Sequence, residues 1–269
     1  LETAGIRKFF SGPESFTPDT NTLLGEVPEI KNFFVCCGLN SIGIGSGGGV
    51  GKVTAEWLMT GHINEDIFSY DIKRFQKFHS ELGFIKERIT ESLGDLYGVH
   101  WPFKQHKTSR NIKKLPHHES LKSFGACFGV SGGYERPMWF ALDGEKSEYE
   151  YSYNYQNWYP SAEYETNNTI KNVGLFDLTP FSKFEIFSEK AHEELQKICT
   201  ANIKDEIGKC TYTQMLNSDG GIEADLTVVC LDKNYFRIIS SAATRERDKF
   251  HIKKHLSKDI QVKDVTDDH

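Results

Sequence analysis

The chain has 269 residues, a net charge of −6 and 38% hydrophobic residues, a balance that suits a soluble globular protein of one to three domains and argues against nucleic acid as the main partner. No apolar run approaches the roughly 20 residues that a membrane span needs, and no signal peptide is visible. The six cysteines, at 36, 37, 127, 199, 210 and 230, form neither a metal-ligand nor a disulfide spacing, which points to a reducing compartment.

In chain order, the first organised unit runs from Phe33 to Gly61. Phe33 to Cys37 is a short apolar run of strand type. Glycines at 38, 43, 45, 47, 48, 49 and 51 then read as a tight turn. Lys52 to Thr60 carries a helical pattern with Val53, Trp57 and Leu58 on one side, and Gly61 stands where a helix-terminating glycine belongs. The unit therefore reads strand, turn, helix N-terminus. Missing Cβ atoms let a ligand touch backbone there, and the N–H groups of a first helical turn attract negative charge such as a phosphate. Gly43-x-Gly45-x-x-Gly48 matches the dinucleotide fingerprint by letter, a weak signal alone. A P-loop is excluded, because Ser46 stands where its first glycine is needed and Val53 where Ser or Thr is needed. A flexible glycine–serine linker is the alternative.

Further on, Ile72, Phe75, Phe78 and Leu82 continue a helix-like spacing, Gly83 interrupts it, and Ile85, Ile89, Leu93 and Leu96 form a clearer helical stripe of core type ending at Gly98. His117 and His118 invite a metal, but adjacent side chains do not converge easily and no acid or cysteine completes a set; solvated loop histidines are the expectation, and no metal is expected. Tyr149 to Tyr159 alternates tyrosines in the manner of an exposed strand or irregular loop, and the acids around it argue against a nucleic-acid stacking face. From Val173 the pattern is α+β. Val173 to Leu178 reads as a turn into a strand, Phe184 to Phe187 as a strand, and Ser188 as the N-cap of a helix carrying Ala191, Leu195 and Ile198. Cys210 to Leu216 and Ile222 to Val229 read as strands joined by the turn Asn217 to Gly221; Tyr235 to Ile239 is a third strand, and Thr244 to Leu256 a helix. In the second of these strands Ile222, Ala224, Leu226 and Val228 share one face, which puts Asp225 on the other, between Glu223 and Thr227. By alternation alone Asp225 is a solvent-facing carboxylate.

Several stretches resemble a known family. Gly38-Leu39-Asn40-Ser41-Ile42-Gly43-Ile44, the run Ser46 to Lys52 and Ala55-Glu56-Trp57 look like the C-terminal end of the FAD domain in dimethylglycine and sarcosine dehydrogenases, and Gly12-Pro13-Glu14-Ser15-Phe16-Thr17-Pro18-Asp19 looks like a second motif of that family. Thr90 to Leu93, Thr108-Ser109-Arg110, Gly125-Ala126 and Gly133 to Pro137 resemble its small connecting domain. Tyr212 to Asn217, Gly220-Gly221-Ile222 and Asp225-Leu226 look like the folate-binding aminomethyltransferase domain, the T-protein of glycine cleavage.

The resemblance implies α/β plus α+β architecture in three parts: residues 1–75 as the end of an FAD domain, 76–135 as the connecting domain and 136–269 as the first portion of a T-protein-like domain. It implies that the chain is an internal fragment of a longer enzyme, inactive alone. In such enzymes FAD oxidises an N-methyl amine such as dimethylglycine or sarcosine, and tetrahydrofolate captures the released carbon. The electron acceptor is not indicated. The implied flavin contacts are Ser41, Ile42, Gly43, Ile44 and Gly45. The implied folate contacts are Phe181, Tyr212, Asp225, Arg237 and Ile239, with Asp225 as the acid–base residue. Arg237 stands where the family commonly has an aromatic residue, and Ala224 where it often has a further aspartate. The implied location is cytoplasmic for a bacterial protein or the mitochondrial matrix for a eukaryotic one. A flavin-free folate-dependent aminomethyl or methyl transferase and a non-catalytic module retaining the fold are the alternatives.

Overall fold

The computed structural model describes residues 2–63 and 65–268. Near its start, β1 (Leu23–Glu26) and β2 (Phe34–Cys37) pair antiparallel, as the apolar run at 33–37 suggests. The helix that follows, α1 (Gly43–Thr60), is longer than expected. Its first two and a half turns are the glycine-rich stretch, so the turn shrinks to Gly38–Ile42, where Asn40 and Ser41 take φ of +49° and +61°. Glycine tolerates the right-handed helical region as readily as a turn, and here the i−4 ladder continues through it, with Ser46 N–H and Oγ both donating to the Ile42 carbonyl. Gly61 closes the helix as expected, at φ +80° with its N–H on the Trp57 carbonyl at 2.8 Å. No residue of α1 is buried. It is held chiefly by Trp57, whose ring meets Phe34 edge-on and covers Gly25 so closely that a Cβ there would lie 2.4 Å from the ring.

Two 3-10 turns, Ile72–Arg74 and Lys77–Ser80, replace the continuous helix-like spacing and lead into α2 (Leu82–Asp95). Gly83 lies inside this helix. Its buried face is Phe84, Arg88 and Ser92, not the Ile85–Ile89–Leu93–Leu96 stripe; Leu93 is 41% exposed. Buried polar groups find backbone partners instead. Arg88 Nη2 donates to the Thr108 carbonyl at 2.7 Å, and Ser92 Oγ to that of Pro18 at 2.6 Å. A short helix α3 (His118–Ser123) precedes the hairpin of β3 (Ala126–Ser131) and β4 (Tyr134–Phe140), turned through Gly132-Gly133, both at positive φ. His118 is not a solvated loop residue: it is buried and stacked on Phe128 at 4.0 Å between ring centres. Tyr149 to Tyr155 is irregular, and α4 (Tyr159–Lys171) follows, a helix that the tyrosine alternation concealed. Val173 to Leu178 carries no regular secondary structure and, among the described residues, pairs with no strand.

The remainder is one five-stranded antiparallel sheet. Its strands are β5 (Ser182–Phe187), β6 (Cys210–Leu216), β7 (Ile222–Asp232), β8 (Tyr235–Ser240) and β9 (Gln261–Asp264), in spatial order β6-β7-β8-β5-β9. Helix α5 (Ala191–Ile198) is preceded by Lys190, so Ser188, two residues earlier, is not its N-cap, and α6 (Arg245–His255) matches the expected span. Phe184, Ile186, Leu226, Val228, Phe236 and Ile238 point from the sheet to one side, and Leu195 of α5 and Ile252 of α6 close a core that excludes water. Strand alternation then forces the intervening residues onto the opposite, open face.

Candidate functional site

That open face holds four of the five residues to which a folate role was assigned, and the register shows how they relate. Tyr212 on β6 is opposite Thr227 on β7, and Thr227 is opposite Ile239 on β8. Asp225 is opposite Gln214, one pair further along. The diagonal between them is spanned by a hydrogen bond: the Tyr212 hydroxyl donates to Asp225 Oδ2 at 2.7 Å. Diagonal neighbours on one face lie within reach of long aromatic side chains. Arg237 sits one pair the other way, opposite Val229 and Glu185, and its guanidinium meets Glu185 Oε1 at 2.5 Å. Phe181 lies just before β5, and its carbonyl accepts from the Lys183 ammonium at 3.0 Å. Tyr212 is 62% exposed, so the face is accessible.

The polarity of the face follows from these pairs. The Asp225 carboxylate stabilises the neutral phenol of Tyr212 and raises its pKa. Burial lowers that of Lys183, reinforced by Arg237 and Arg245. The result is a strip with a carboxylate and phenol at one end, a guanidinium–carboxylate pair at the other, and Thr227 and Ile239 between them. Such a strip can hold a flat heteroaromatic ring with N–H groups toward Asp225. Lys183 and Glu185 belong to this strip and were missed in the sequence. Their outward positions on β5 were readable from the same period of two that buried Phe184 and Ile186.

The motifs at 12–19 and 38–45 meet each other. Asn40 is 1% exposed; its Oδ1 accepts from the Thr17 N–H at 2.9 Å, and its own N–H donates to the Ser15 carbonyl at 3.2 Å. Ser41 Oγ donates to Glu14 Oε2. Gly38 is required here, since a Cβ would lie 2.7 Å from Thr17 Cγ2 and φ is +67°. These contacts hold Asn40 and Ser41 in the left-handed region, an arrangement that costs energy and collects at ligand sites. Ile42, the residue before α1, offers no side-chain cap, and Ile44 and Gly45 are exposed. The N–H groups of the first turn of α1 therefore face outward over glycine backbone, which suits an anionic or carbonyl-bearing cofactor.

Elsewhere the motif residues of the connecting region bind one another. Glu91 accepts from the Lys107 and Thr108 N–H groups, each at 2.8 Å, and Arg110 forks onto the 2%-exposed Glu135 at 2.7 and 2.6 Å. One grouping escaped the sequence: possible metal ligands of Glu91, Asp95 and His106 lie within 4.8 Å of one another. Protein donors already answer its carboxylates, with Lys104 on Asp95 at 2.5 Å and Thr108 Oγ1 on Glu91 at 2.5 Å. Among the described residues no helix is long and apolar enough to cross a membrane.

Comparison with known proteins places family matches on the sheet and on the region before it. The GCVT N-terminal domain family matches residues 117–269, and the FAD-dependent oxidoreductase central domain family matches residues 60–114. The chain is 39% identical over 254 residues to 4-methylaminobutanoate oxidase (formaldehyde-forming) of Paenarthrobacter nicotinovorans, covering 94% of this chain and 31% of the relative. It is 32% identical to the mitochondrial pyruvate dehydrogenase phosphatase regulatory subunit of Mus musculus, covering 99% of this chain and 31% of the relative. It is 35% identical to the mitochondrial sarcosine dehydrogenase of Homo sapiens, covering 85% of this chain and 28% of the relative. The chain thus spans less than a third of the length of these relatives.

Proposed function

Because the chain belongs to the GCVT N-terminal domain family, with an FAD-dependent oxidoreductase central domain before it, we propose that it forms part of an FAD-dependent enzyme oxidising an N-methyl amine, and that its open sheet face binds tetrahydrofolate and passes it the one-carbon unit. The observation that carries this reading is the Tyr212–Asp225 pair at 2.7 Å on an accessible sheet face. In this proposal Asp225 accepts a hydrogen bond from a folate amine N–H and holds or relays its proton during transfer. Tyr212 fixes the carboxylate, Ile239 and Phe181 provide apolar contact, and Arg237 with Glu185 bounds the far end. FAD, when bound, supplies the amine oxidation; Ser41 to Gly45 would hold it through the uncapped helix start and the glycine backbone. The same reading divides the chain near residues 75 and 135 into flavin-side, connecting and folate-side parts, and places the protein in the cytoplasm or the mitochondrial matrix.

The test is product partitioning in the holoprotein given sarcosine or dimethylglycine with tetrahydrofolate. Asp225→Asn keeps the shape of the site and removes proton handling, an effect of roughly 100-fold to 10,000-fold on transfer. Amine oxidation should persist while formaldehyde rises at the expense of 5,10-methylenetetrahydrofolate. Partitioning equal to wild type would remove Asp225 from the reaction. The likeness to a regulatory subunit favours a second reading, a non-catalytic module that keeps the fold but binds nothing; saturable binding of tetrahydrofolate to the chain excludes it.

A further inference from the structure

A second site lies where the three parts of the chain meet, away from the open sheet face. A cavity of about 400 Å³ is lined by Pro18 and Asp19 of the front segment, by His79, Phe84 and Arg88 around α2, by Val130 and the Gly132-Gly133 turn, and by Ala243 before α6. It runs from the exposed Ala243 to Phe84 and Arg88, each 7% exposed. Two glycines create this junction: a Cβ on Gly132 would lie 2.8 Å from Ala242 Cβ, and one on Gly133 3.0 Å from Gln76 Nε2.

Its charge is unbalanced. Arg74 at the rim is answered by Asp19 at 2.6 and 3.0 Å. Arg88 has no hydrogen-bonded carboxylate: among the described residues its guanidinium donates to the carbonyls of Thr108 and Ser109, at 2.7 and 3.4 Å, its buried Nε meets no acceptor, and Glu91 and Glu135 act on it only through space. A buried guanidinium bonded only to carbonyls is expensive; burial lowers its pKa, and Glu91 and Glu135 offset this only in part. His79 adds a second donor. Its Nδ1 lies 3.0 Å from the Gln76 nitrogen and 3.2 Å from the Gln76 carbonyl oxygen; in the tautomer that accepts the Gln76 N–H, the ring proton is on Nε2. Around these donors the lining is apolar, with the rings of Phe68, Phe75 and Phe84 and the side chain of Val130.

We propose that this cavity binds a small monocarboxylate with a short apolar body, its carboxylate on Arg88 and the His79 Nε2–H and its chain against Phe84 and Val130. Because the lining comes from all three parts of the chain, an occupant also fastens them together.

Butyrate, butyramide and butylamine, alike in shape and different in charge, are the probes, titrated into the full chain by calorimetry and saturation-transfer NMR. Butyrate should bind saturably, with contacts from its methylenes to Phe84 and Val130, and should raise the unfolding temperature. Loss of a charge-assisted hydrogen bond should weaken butyramide by roughly tenfold or more, and butylamine should not bind. Ala243→Trp, at the exposed rim, should abolish the butyrate signal with the circular dichroism spectrum unchanged; Arg88→Met should do the same where it folds. Equal binding of butyrate and butyramide, butyrate binding undiminished by Ala243→Trp, magnetisation transfer to residues outside the cavity, or no saturable binding would each overturn the proposal.

Discussion

The Tyr212–Asp225 hydrogen bond ties together two side chains that face solvent, so its removal should register in ligand binding and not in folding. Tyr212→Phe should leave the unfolding temperature in place and raise the Kd for tetrahydrofolate several-fold; an unfolding midpoint lowered by several degrees would mark the pair as structural. Acid sensitivity belongs to other residues. Burial lowers the pKa of His79 to about 4 and that of His251 to about 4. The unfolded chain takes up these protons near pH 6.5, so between pH 6.5 and 4 it binds more protons than the folded state. Stability therefore falls as pH drops through that window, by up to about 3 kcal/mol per histidine. Urea titrations at pH 7 and 4.5 should show a smaller acid loss in His79→Gln and His251→Gln than in wild type; an equal loss would contradict this. The outward placement of Asp225 was legible, because alternation in a one-sided sheet leaves no choice of face; Tyr212, Arg237 and Ile239 were singled out only by the family resemblance. The burial of His118 was not, since it depends on Phe128 arriving from a strand that begins after α3 ends.

Among the elements, α1 departs most from what its composition suggests. Interior glycine costs about 1 kcal/mol relative to alanine in a helix, and α1 carries six, at 43, 45, 47, 48, 49 and 51. Local sequence therefore reads as a turn, and only the assembled chain shows the helix. The glycines also leave its surface bare: a Cβ at Gly45 would meet nothing within 4 Å. Gly45→Val therefore has no clash within the chain, and valine is a slightly better helix former than glycine. If the turn and the start of α1 hold FAD, Gly45→Val should cut flavin content in the holoprotein without lowering helicity. Unchanged flavin content would detach this segment from the cofactor. The strands β5, β7 and β8 were read close to their observed limits because each carries an unbroken period of two. Helix α2 was read on the wrong face because its buried side is Phe84, Arg88 and Ser92, and two of those three are polar residues that donate to distant carbonyls.

Across the whole molecule, segments far apart in sequence are tied by polar contacts. Tyr134 on β4 donates to Asp267 at 2.8 Å, Arg245 binds both Asp264 and Asp267, and Arg110 binds Glu135 on β4. No local pattern reveals such pairs, although the residues of several lie in the motifs that carried the family resemblance. Removing one partner of a buried pair leaves an uncompensated charge, so Glu135→Gln should cost about 3 kcal/mol in urea unfolding; a change under about 0.5 kcal/mol would show that the pair contributes as little as a surface bridge. The central claim concerns the other side of the sheet and is tested most directly by titrating tetrahydrofolate into the isotopically labelled chain and following side-chain and backbone resonances. The proposal requires saturable shifts at Phe181, Tyr212, Asp225, Arg237 and Ile239, sparing the core-facing Val228 and Ile238. No saturable shift, or shifts centred away from this face, would contradict it.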